Sequence, residues 1–78
     1  MTASNPARER LNKGELCLGI GLRQARTVDV AAAMASCGFD WLFIDLEHGT
    51  MPLDTAVQIS VAALTAGISP VVRVPSRL

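Results

Sequence analysis

Three short apolar runs, separated by two helix-compatible segments, limit the folds open to this chain more than any other feature. The runs lie at 16–22, 39–46 and 70–75, and the helix-compatible segments at 27–38 and 52–67. Strands and helices that alternate with short connections imply right-handed crossovers and a parallel sheet. A Rossmann-like sheet and a (β/α)8 barrel both have this order. Because a typical barrel needs about 250 residues, the chain would form roughly its first third.

Capping and turn residues predict where the two helices begin and end. Thr27 is predicted as the N-cap of the first helix, which Gly38 ends. Pro52 is predicted at the first position of the second helix, which ends at Gly67.

The N-terminal part of the chain is predicted to lie outside the sheet. Residues 1–13 are polar and are expected to form a flexible arm with one helical turn around 7–11. The folded part, 14–78, then holds three strands and two helices. In its first strand, Gly19 and Gly21 are predicted to allow the close approach of a neighbouring backbone or ligand. A G-x-G pattern without a third glycine gives little support to a dinucleotide site.

Composition and charge exclude several classes of function. Seven basic and seven acidic residues give a formal charge of zero, and the 78 residues include only three aromatic ones, so the features of a nucleic-acid-binding protein are missing. The N-terminus lacks the apolar core of a signal peptide, and no run approaches the ~20 apolar residues that span a bilayer. Cys17 and Cys37 lack C-x-x-C spacing and are interpreted as small, buried hydrophobic residues in a reducing compartment. We therefore expect a soluble, cytoplasmic protein that binds neither nucleic acid nor membrane.

Polar residues follow the second apolar run directly. Asp45, Glu47 and His48, the single histidine of the chain, stand where this buried strand ends. The carboxyl ends of parallel strands are where such sheets place their active sites. Because side chains alternate along a strand, Asp45 and Arg73 approach each other if their strands are neighbours and the two faces point the same way. The sequence therefore predicts that Asp45, His48 and Arg73 converge.

An acid, a histidine and an arginine in one place suit acid–base chemistry on a carboxylate or keto substrate. The Asp45 carboxylate can accept a hydrogen bond from one imidazole nitrogen of His48, which leaves the other nitrogen as a base. The Arg73 guanidinium can bind carboxylate or keto oxygens bidentately. The same residues could instead be a loop histidine and a structural ion pair. Asp45, Glu47 and His48 could also be metal ligands, although three side chains so close in sequence rarely all reach one ion.

Two segments of the sequence resemble a known enzyme family. Gly-Phe-Asp-Trp-Leu-Phe-Ile-Asp-Leu-Glu-His-Gly at 38–49, followed by Pro-Val-Val-Arg-Val-Pro at 70–75, is similar to the HpcH/HpaI aldolases, which are metal-dependent (class II) pyruvate aldolases. The resemblance extends over nearly all of the chain from residue 16 onward. It implies an α/β chain that forms the N-terminal βαβαβ portion of a (β/α)8 barrel, incomplete as a barrel. It also implies cleavage of 4-hydroxy-2-oxo acids to pyruvate and an aldehyde.

The resemblance further implies a role for each polar residue. His48 matches the catalytic base, Asp45 the acid that pairs with it, and Arg73 the arginine that binds the pyruvate oxygens, while Glu47 holds a supporting position. In that family a divalent ion, Mg²⁺, Mn²⁺ or Co²⁺, stabilises the enolate. Its carboxylate ligands lie on later strands, so no metal ligand is expected within this chain. The usual assembly of the family is a homo-oligomer, a hexamer.

Other interpretations stay open at this level. One is a citrate-lyase-like carbon–carbon lyase of related barrel fold that acts on a thioester, in which an arginine and a glutamate are expected at other positions. Another is a non-catalytic remnant that serves only in assembly. A chain without the family's metal ligands is expected to be either a fragment of a full enzyme or a truncated product.

Overall fold

Three parallel strands form one sheet in the order in which they occur along the chain. The structure, a computed structural model, describes residues 5–75. The predicted alternation of strands and helices and the parallel pairing are confirmed. In chain order the elements are α1 (Pro6–Asn12), β1 (Gly19–Leu22), α2 (Asp29–Ser36), β2 (Trp41–Asp45), α3 (Leu53–Ala66) and β3 (Ser69–Arg73).

The core lies between one face of the sheet and the two crossover helices. Side chains alternate between the faces of a strand, and Leu42 and Ile44 of β2 are fully buried on the face that the helices cover. Helix α3 contributes two small side chains, Ala56 and Ala63, together with Ile59. The small side chains let the helix lie close to the sheet. The other buried members of this core are Leu22, Ala31, Met51 and Ile68. The prediction that both cysteines are buried is wrong, because Cys17 is half-buried and Cys37 is exposed.

The opposite face of the sheet carries larger and less buried side chains. Trp41 and Phe43 of β2 are half-buried there, and Val71 of β3 is exposed. The indole of Trp41 lies over Gly19 so closely that a Cβ at this position would overlap the ring. The predicted close approach at Gly19 is therefore confirmed, and the approaching group is a side chain of the neighbouring strand.

The helix ends follow the predicted glycines, whereas the helix starts differ by a residue. Gly38 and Gly67 have φ values of +94° and +78°, in the left-handed region that glycine tolerates, and they end α2 and α3 as predicted. Val28 is the N-cap of α2; the Thr27 hydroxyl donates instead to the Asp29 carboxylate, so the prediction of Thr27 as the cap is wrong. Pro52, with ψ of 155°, is the N-cap of α3 rather than its first residue.

The segment predicted as an N-terminal arm contains helix α1, which contacts the amino end of the sheet. Asn5 caps this helix by accepting a hydrogen bond from the Arg8 backbone N–H. The Ala7 backbone N–H donates to Ser69 Oγ at 3.0 Å, and the Ser69 hydroxyl donates to Asn5 Oδ1 at 2.8 Å. Arg10 pairs with a carboxylate oxygen of residue 40 at 2.9 Å. The helical turn around 7–11 is thus present, while the flexibility of the arm stays a prediction.

The outer surface of α3 is apolar. Val57, Val61 and Leu64 recur at helical spacing, and all three are exposed. Within residues 5–75, the helices are too short or too polar to cross a membrane.

Candidate active site

Asp45 and Arg73 are the last residues of β2 and β3, and the register of the two strands pairs them directly. Their side chains lie on the same face, as counting in twos predicts. Arg73 Nε donates to Asp45 Oδ1 at 3.1 Å and Arg73 Nη2 donates to Asp45 Oδ2 at 2.5 Å. This is a bidentate pair, the geometry in which a guanidinium binds a carboxylate most specifically. Asp45 is 4% exposed, whereas Arg73 is half-buried and reaches the surface.

The same carboxylate also shapes the loop that follows β2. Asp45 Oδ1 accepts hydrogen bonds from the backbone N–H groups of Glu47 and His48, both at 3.0 Å. The Arg73 guanidinium holds the pKa of the Asp45 carboxyl well below its usual range, and the two backbone N–H groups lower it further, while desolvation acts in the opposite direction. The Asp45 carboxylate in turn raises the pKa of Arg73. The pair is therefore ionised at neutral pH.

His48 meets Arg73 more closely than it meets Asp45. Its Nδ1 lies 2.6 Å from Arg73 Nη2 but 3.5 Å from Asp45 Oδ2, a separation beyond normal hydrogen-bond length. Because a guanidinium has only donors, Nδ1 must accept, and a neutral imidazole then carries its proton on Nε2. The predicted convergence of the three side chains is observed. The predicted hydrogen bond from the imidazole to the carboxylate is not formed, because both Asp45 oxygens already bind Arg73, which lies between the two residues.

Two further side chains border the guanidinium. The ring centroid of Phe43 is 5.1 Å from Arg73 Cζ, within the range of a cation–π contact. Glu47 is exposed, and its Oε2 lies 3.7 Å from Arg73 Nε. Within residues 5–75 the Nη1 group of Arg73 makes no hydrogen bond. Its two N–H bonds are therefore free to bind a substrate oxygen.

The carboxylates of this loop do not suit a metal ion. The oxygens of Asp45 together accept four hydrogen bonds, two of them from a cation, and a divalent ion added there would be repelled by Arg73. In the described part of the chain no three His, Cys, Asp or Glu side chains are grouped so that they could hold a metal ion.

One neighbouring residue was missed by sequence reasoning. Arg23 follows β1, and its Nη2 donates to the His48 carbonyl oxygen at 2.9 Å. Both residues line a cavity of about 430 Å³, which is completed by Gly21, Gln24, Gly49 and Thr50. The available indication was the pair Arg-Gln directly after a predicted strand, near the carboxyl end of β1, as Glu47 and His48 lie near that of β2.

Gly49 lets the two loops that carry Arg23 and His48 pack together. A Cβ at Gly49 would lie 2.7 Å from the Arg23 carbonyl oxygen and closer still to that of Asp45. The Thr50 backbone N–H donates to the Arg23 carbonyl oxygen at 3.0 Å. The position of Arg23 is therefore coupled to that of His48.

Comparison with curated proteins identifies aldolases. The chain is 40% identical over 75 residues to the 4-hydroxy-4-methyl-2-oxoglutarate aldolase cghB of Chaetomium globosum, and 37% identical over 70 residues to the 2-keto-3-deoxy-L-rhamnonate aldolase of Escherichia coli K12. It is 38% identical over 77 residues to the hydroxypyruvate/pyruvate aldolase of Paraburkholderia phytofirmans. These matches cover 96, 90 and 96% of this chain, but only 28, 26 and 29% of the three relatives. No protein-family model matches the chain.

Solved structures agree with the sequence comparison. The HpcH/HpaI aldolase from Desulfitobacterium hafniense DCB-2 matches with a TM-score of 0.84 at 25% identity, over 92% of this chain and 28% of that one. A variant of the citrate synthase SbnG matches with a TM-score of 0.74 at 33% identity, over 86% and 29% of the two chains. The strands and helices described above thus correspond to part of a (β/α)8 barrel, which confirms the predicted fold. The chain is therefore similar to aldolases over nearly all of its own length and is folded like the matching part of an HpcH/HpaI aldolase, and it spans little more than a quarter of the relatives that it matches.

Proposed function

We propose that the protein carrying this segment is a class II aldolase that cleaves a 4-hydroxy-2-oxo acid into pyruvate and an aldehyde. The observation that carries the proposal is the meeting of Asp45, His48 and Arg73 at the carboxyl ends of two adjacent parallel strands. The similarity to named aldolases across the same residues supports it.

Arg73 binds the oxygens of the 2-oxo acid. Its Nη1 group points no N–H at any described residue, and an arginine fork matches the geometry of a carboxylate. Asp45 positions this fork through two hydrogen bonds of 3.1 and 2.5 Å. Because the same carboxylate also holds the loop that begins at Glu47, it fixes the arginine and His48 relative to each other.

His48 acts as the base. In cleavage it accepts the proton of the substrate's 4-hydroxyl while the C3–C4 bond breaks, and the electron pair of that bond passes into the enolate of pyruvate. Return of a proton from His48 to C3 then gives the methyl group of pyruvate, and the reverse of this transfer is the methyl-proton exchange. In the structure the Nδ1 lone pair of His48 is engaged by Arg73 Nη2–H at 2.6 Å. A 2-oxo acid that draws this N–H to its own oxygen releases the lone pair for proton transfer.

The remaining expectations concern cofactor and assembly. Aldolases of this class generally depend on a divalent metal ion, and we propose Mg²⁺, Mn²⁺ or Co²⁺, which stabilises the enolate charge when bound. Because the donor set of Asp45, Glu47 and His48 does not suit such an ion, its ligands are proposed to lie outside residues 5–75. We also propose a homo-oligomer, a hexamer as in the family, in the cytoplasm, with neither nucleic acid nor membrane as a partner.

The second candidate is carbon–carbon bond chemistry of the citrate type. The match of 33% identity to a citrate synthase variant favours it over other barrel reactions. A citrate-type enzyme would act on citrate and would leave the methyl protons of pyruvate in place, so one substrate panel separates the two candidates. A segment that serves only in assembly would act on neither.

Deuterium exchange into the methyl group of pyruvate tests the proposal. The complete translated protein that carries these residues is incubated with pyruvate, each of the three metal ions and deuterated buffer, and exchange is followed by proton NMR. Loss of a positioned base costs ~10²–10⁴-fold in rate, so His48→Ala should lose this much of kcat with little change in KM. Arg73→Ala should also raise KM, because it removes a contact made in the ground state.

Arg8→Ala is the matched control, because Arg8 is exposed on α1 at the opposite end of the sheet. It should exchange at the wild-type rate. Near wild-type exchange in His48→Ala would reject the base assignment. Absence of exchange in the wild-type protein, with cleavage of citrate in the same panel, would replace the aldolase proposal by the second candidate.

A further inference from the structure

The loop between β1 and α2 carries two arginines whose charges are not neutralised by a carboxylate within residues 5–75. Arg23 Nη2 donates to the His48 carbonyl oxygen at 2.9 Å, and Arg26 Nη2 donates to Thr50 Oγ1 at the same distance. Arg10 and Arg73, by contrast, both pair with carboxylates. Each loop arginine is thus held by a neutral acceptor on the next loop, and its positive charge stays available.

Arg23 faces a cavity of ligand size. The cavity of about 430 Å³ that it lines with His48 and Gln24 falls within the ~300–1,000 Å³ typical of small-molecule sites. Gly21 also lines it, and a Cβ at Gly21 would meet no atom of the described residues within 4 Å. A guanidinium that lines such a cavity without a carboxylate partner is suited to an anionic group of a ligand.

His48 connects this cavity to the proposed reaction site. Its imidazole Nδ1 contacts Arg73 Nη2, while its carbonyl oxygen accepts from Arg23 Nη2. The two guanidinium groups therefore contact the same residue, one at its side chain and one at its backbone. A 2-oxo acid bound by Arg73 beside the imidazole would thus be next to the residue that Arg23 holds.

We propose that Arg23 binds the second carboxylate of a dicarboxylic 4-hydroxy-2-oxo acid and so selects dicarboxylic over monocarboxylic substrates. This inference rests on the proposed aldolase function. Arg26, on the same loop as Arg23, is held by Thr50 of the next loop and adds positive charge beside the cavity. A substrate with a neutral tail would leave the Arg23 charge in the cavity without a counter-ion. Such a substrate should therefore bind more weakly than a dicarboxylic one.

The test compares two substrates that differ in this group. In the complete translated protein with its metal ion, kcat/KM is measured for 4-hydroxy-2-oxoglutarate and for 4-hydroxy-2-oxopentanoate. The loss of one hydrogen-bonded charge pair between a ligand and its site lowers the affinity by about 10–100-fold. Arg23→Gln should lower kcat/KM for the diacid, through KM, by this factor more than it lowers kcat/KM for the monoacid. Arg23→Lys should retain most of the preference, and Arg8→Gln all of it.

Two other results of this comparison would refute the inference. An equal loss on both substrates in Arg23→Gln would mean that Arg23 only supports the His48 loop, and a wild-type protein without preference for the diacid would refute it as well. If neither acid is cleaved, the aldolase proposal fails, and the inference is decided by binding. The ¹⁵N-labelled complete translated protein is then titrated with 2-oxoglutarate and with 2-oxopentanoate. A shift of the Arg23 Nε signal with the diacid alone supports the carboxylate site, and no selective shift refutes it.

Discussion

The carboxylate of Asp45 accepts hydrogen bonds from two directions, from a side chain on β3 and from the backbone of its own loop. Removing its charge therefore affects both the arginine and the loop. Because Arg73 lies between Asp45 and His48, the carboxylate acts on the imidazole through the guanidinium and through the backbone, and not by a direct hydrogen bond.

The lowered pKa of Asp45 predicts a pH-dependent contribution to stability. A carboxyl whose pKa is lowered by folding stabilises the fold above its unfolded pKa of about 3.9, and this stabilisation is lost as the pH falls through the folded value. The free energy of unfolding of the wild-type chain should thus exceed that of Asp45→Asn by a steady margin between about pH 5 and pH 7. The margin should shrink below about pH 4. Urea unfolding followed by Trp41 fluorescence measures it, and a margin that is unchanged at about pH 2 would contradict the prediction.

Sequence reasoning predicted that Asp45, His48 and Arg73 converge, but not the order in which their side chains contact one another. The alternation of side chains along a strand and the parallel pairing of β2 with β3 bring Asp45 and Arg73 together, independently of how the core packs. The two-residue repeat of the strands was therefore sufficient to predict this contact. Which of three polar side chains lies in the middle depends on side-chain length and rotamer, and no local pattern encodes it. Arg23 was missed for a related reason, because its contact with His48 depends on how two loops pack.

At the scale of elements, the site depends on two loops that are held against each other. The loop after β1 and the loop after β2 meet at Gly49, whose φ is not positive. Glycine is therefore required here because a Cβ would overlap neighbouring backbone atoms, and not because the backbone adopts a left-handed conformation. The hydrogen bond from the Thr50 N–H to the Arg23 carbonyl oxygen joins the same two loops.

Gly49→Ala should consequently destabilise the chain and displace His48. The added Cβ would lie 2.7 Å from the Arg23 carbonyl oxygen, and overpacking of this kind costs about 1–3 kcal/mol. Gly21→Ala is the matched control, because its Cβ would enter open space and a compatible glycine replacement is neutral or stabilising by about 0.4–1 kcal/mol. Chemical denaturation gives the free energies, and the His48 imidazole signals in NMR report the loop. Equal stability of the two variants would show that the loops separate easily.

The docking of helix α1 against the sheet is a feature that local sequence patterns do not predict. A helical turn is predicted around 7–11, and helix α1 is found there. What holds it against the sheet is the hydrogen bond from Ala7 to Ser69, two residues 62 positions apart. Nothing near either residue indicates the other, so the sequence alone reads this segment as a free arm.

At the scale of the whole molecule, the sheet has two apolar faces and one layer of helices. Parallel sheets are normally covered on both faces. Helices α2 and α3 bury Leu42 and Ile44, while Trp41, Phe43 and Val71 occupy the other face and are at most half-buried. In a closed barrel that face is the packed interior, which accounts for its large side chains.

The outer edge of β3 predicts the least stable part of the isolated 78-residue chain. Among the described residues β3 pairs with β2 alone, and Val71, Val72 and Val74 are exposed. Backbone amides at residues 71–74 should therefore exchange with solvent faster than those of β2, which has a partner on each side. Hydrogen exchange by NMR on a monodisperse monomer makes the comparison. Slow exchange at 71–74 in such a sample would contradict the interpretation of this sheet as part of a larger barrel.

The isolated 78-residue chain should show no aldolase activity with any divalent metal ion. The described residues contain no group of three metal-ligating side chains, and the Asp45 carboxylate is fully occupied by Arg73 and by two backbone N–H groups. The negative charge of the enolate would then develop without a metal ion to stabilise it. A bound metal ion lowers the free energy of such a transition state by several kcal/mol. Pyruvate release from a 4-hydroxy-2-oxo acid is measured with Mg²⁺, Mn²⁺ and Co²⁺ in turn, with the complete translated protein as the positive control. Pyruvate release by the isolated chain that EDTA abolishes and manganese restores would show that a metal site forms within these residues, and the placement of the metal ligands elsewhere would have to be abandoned.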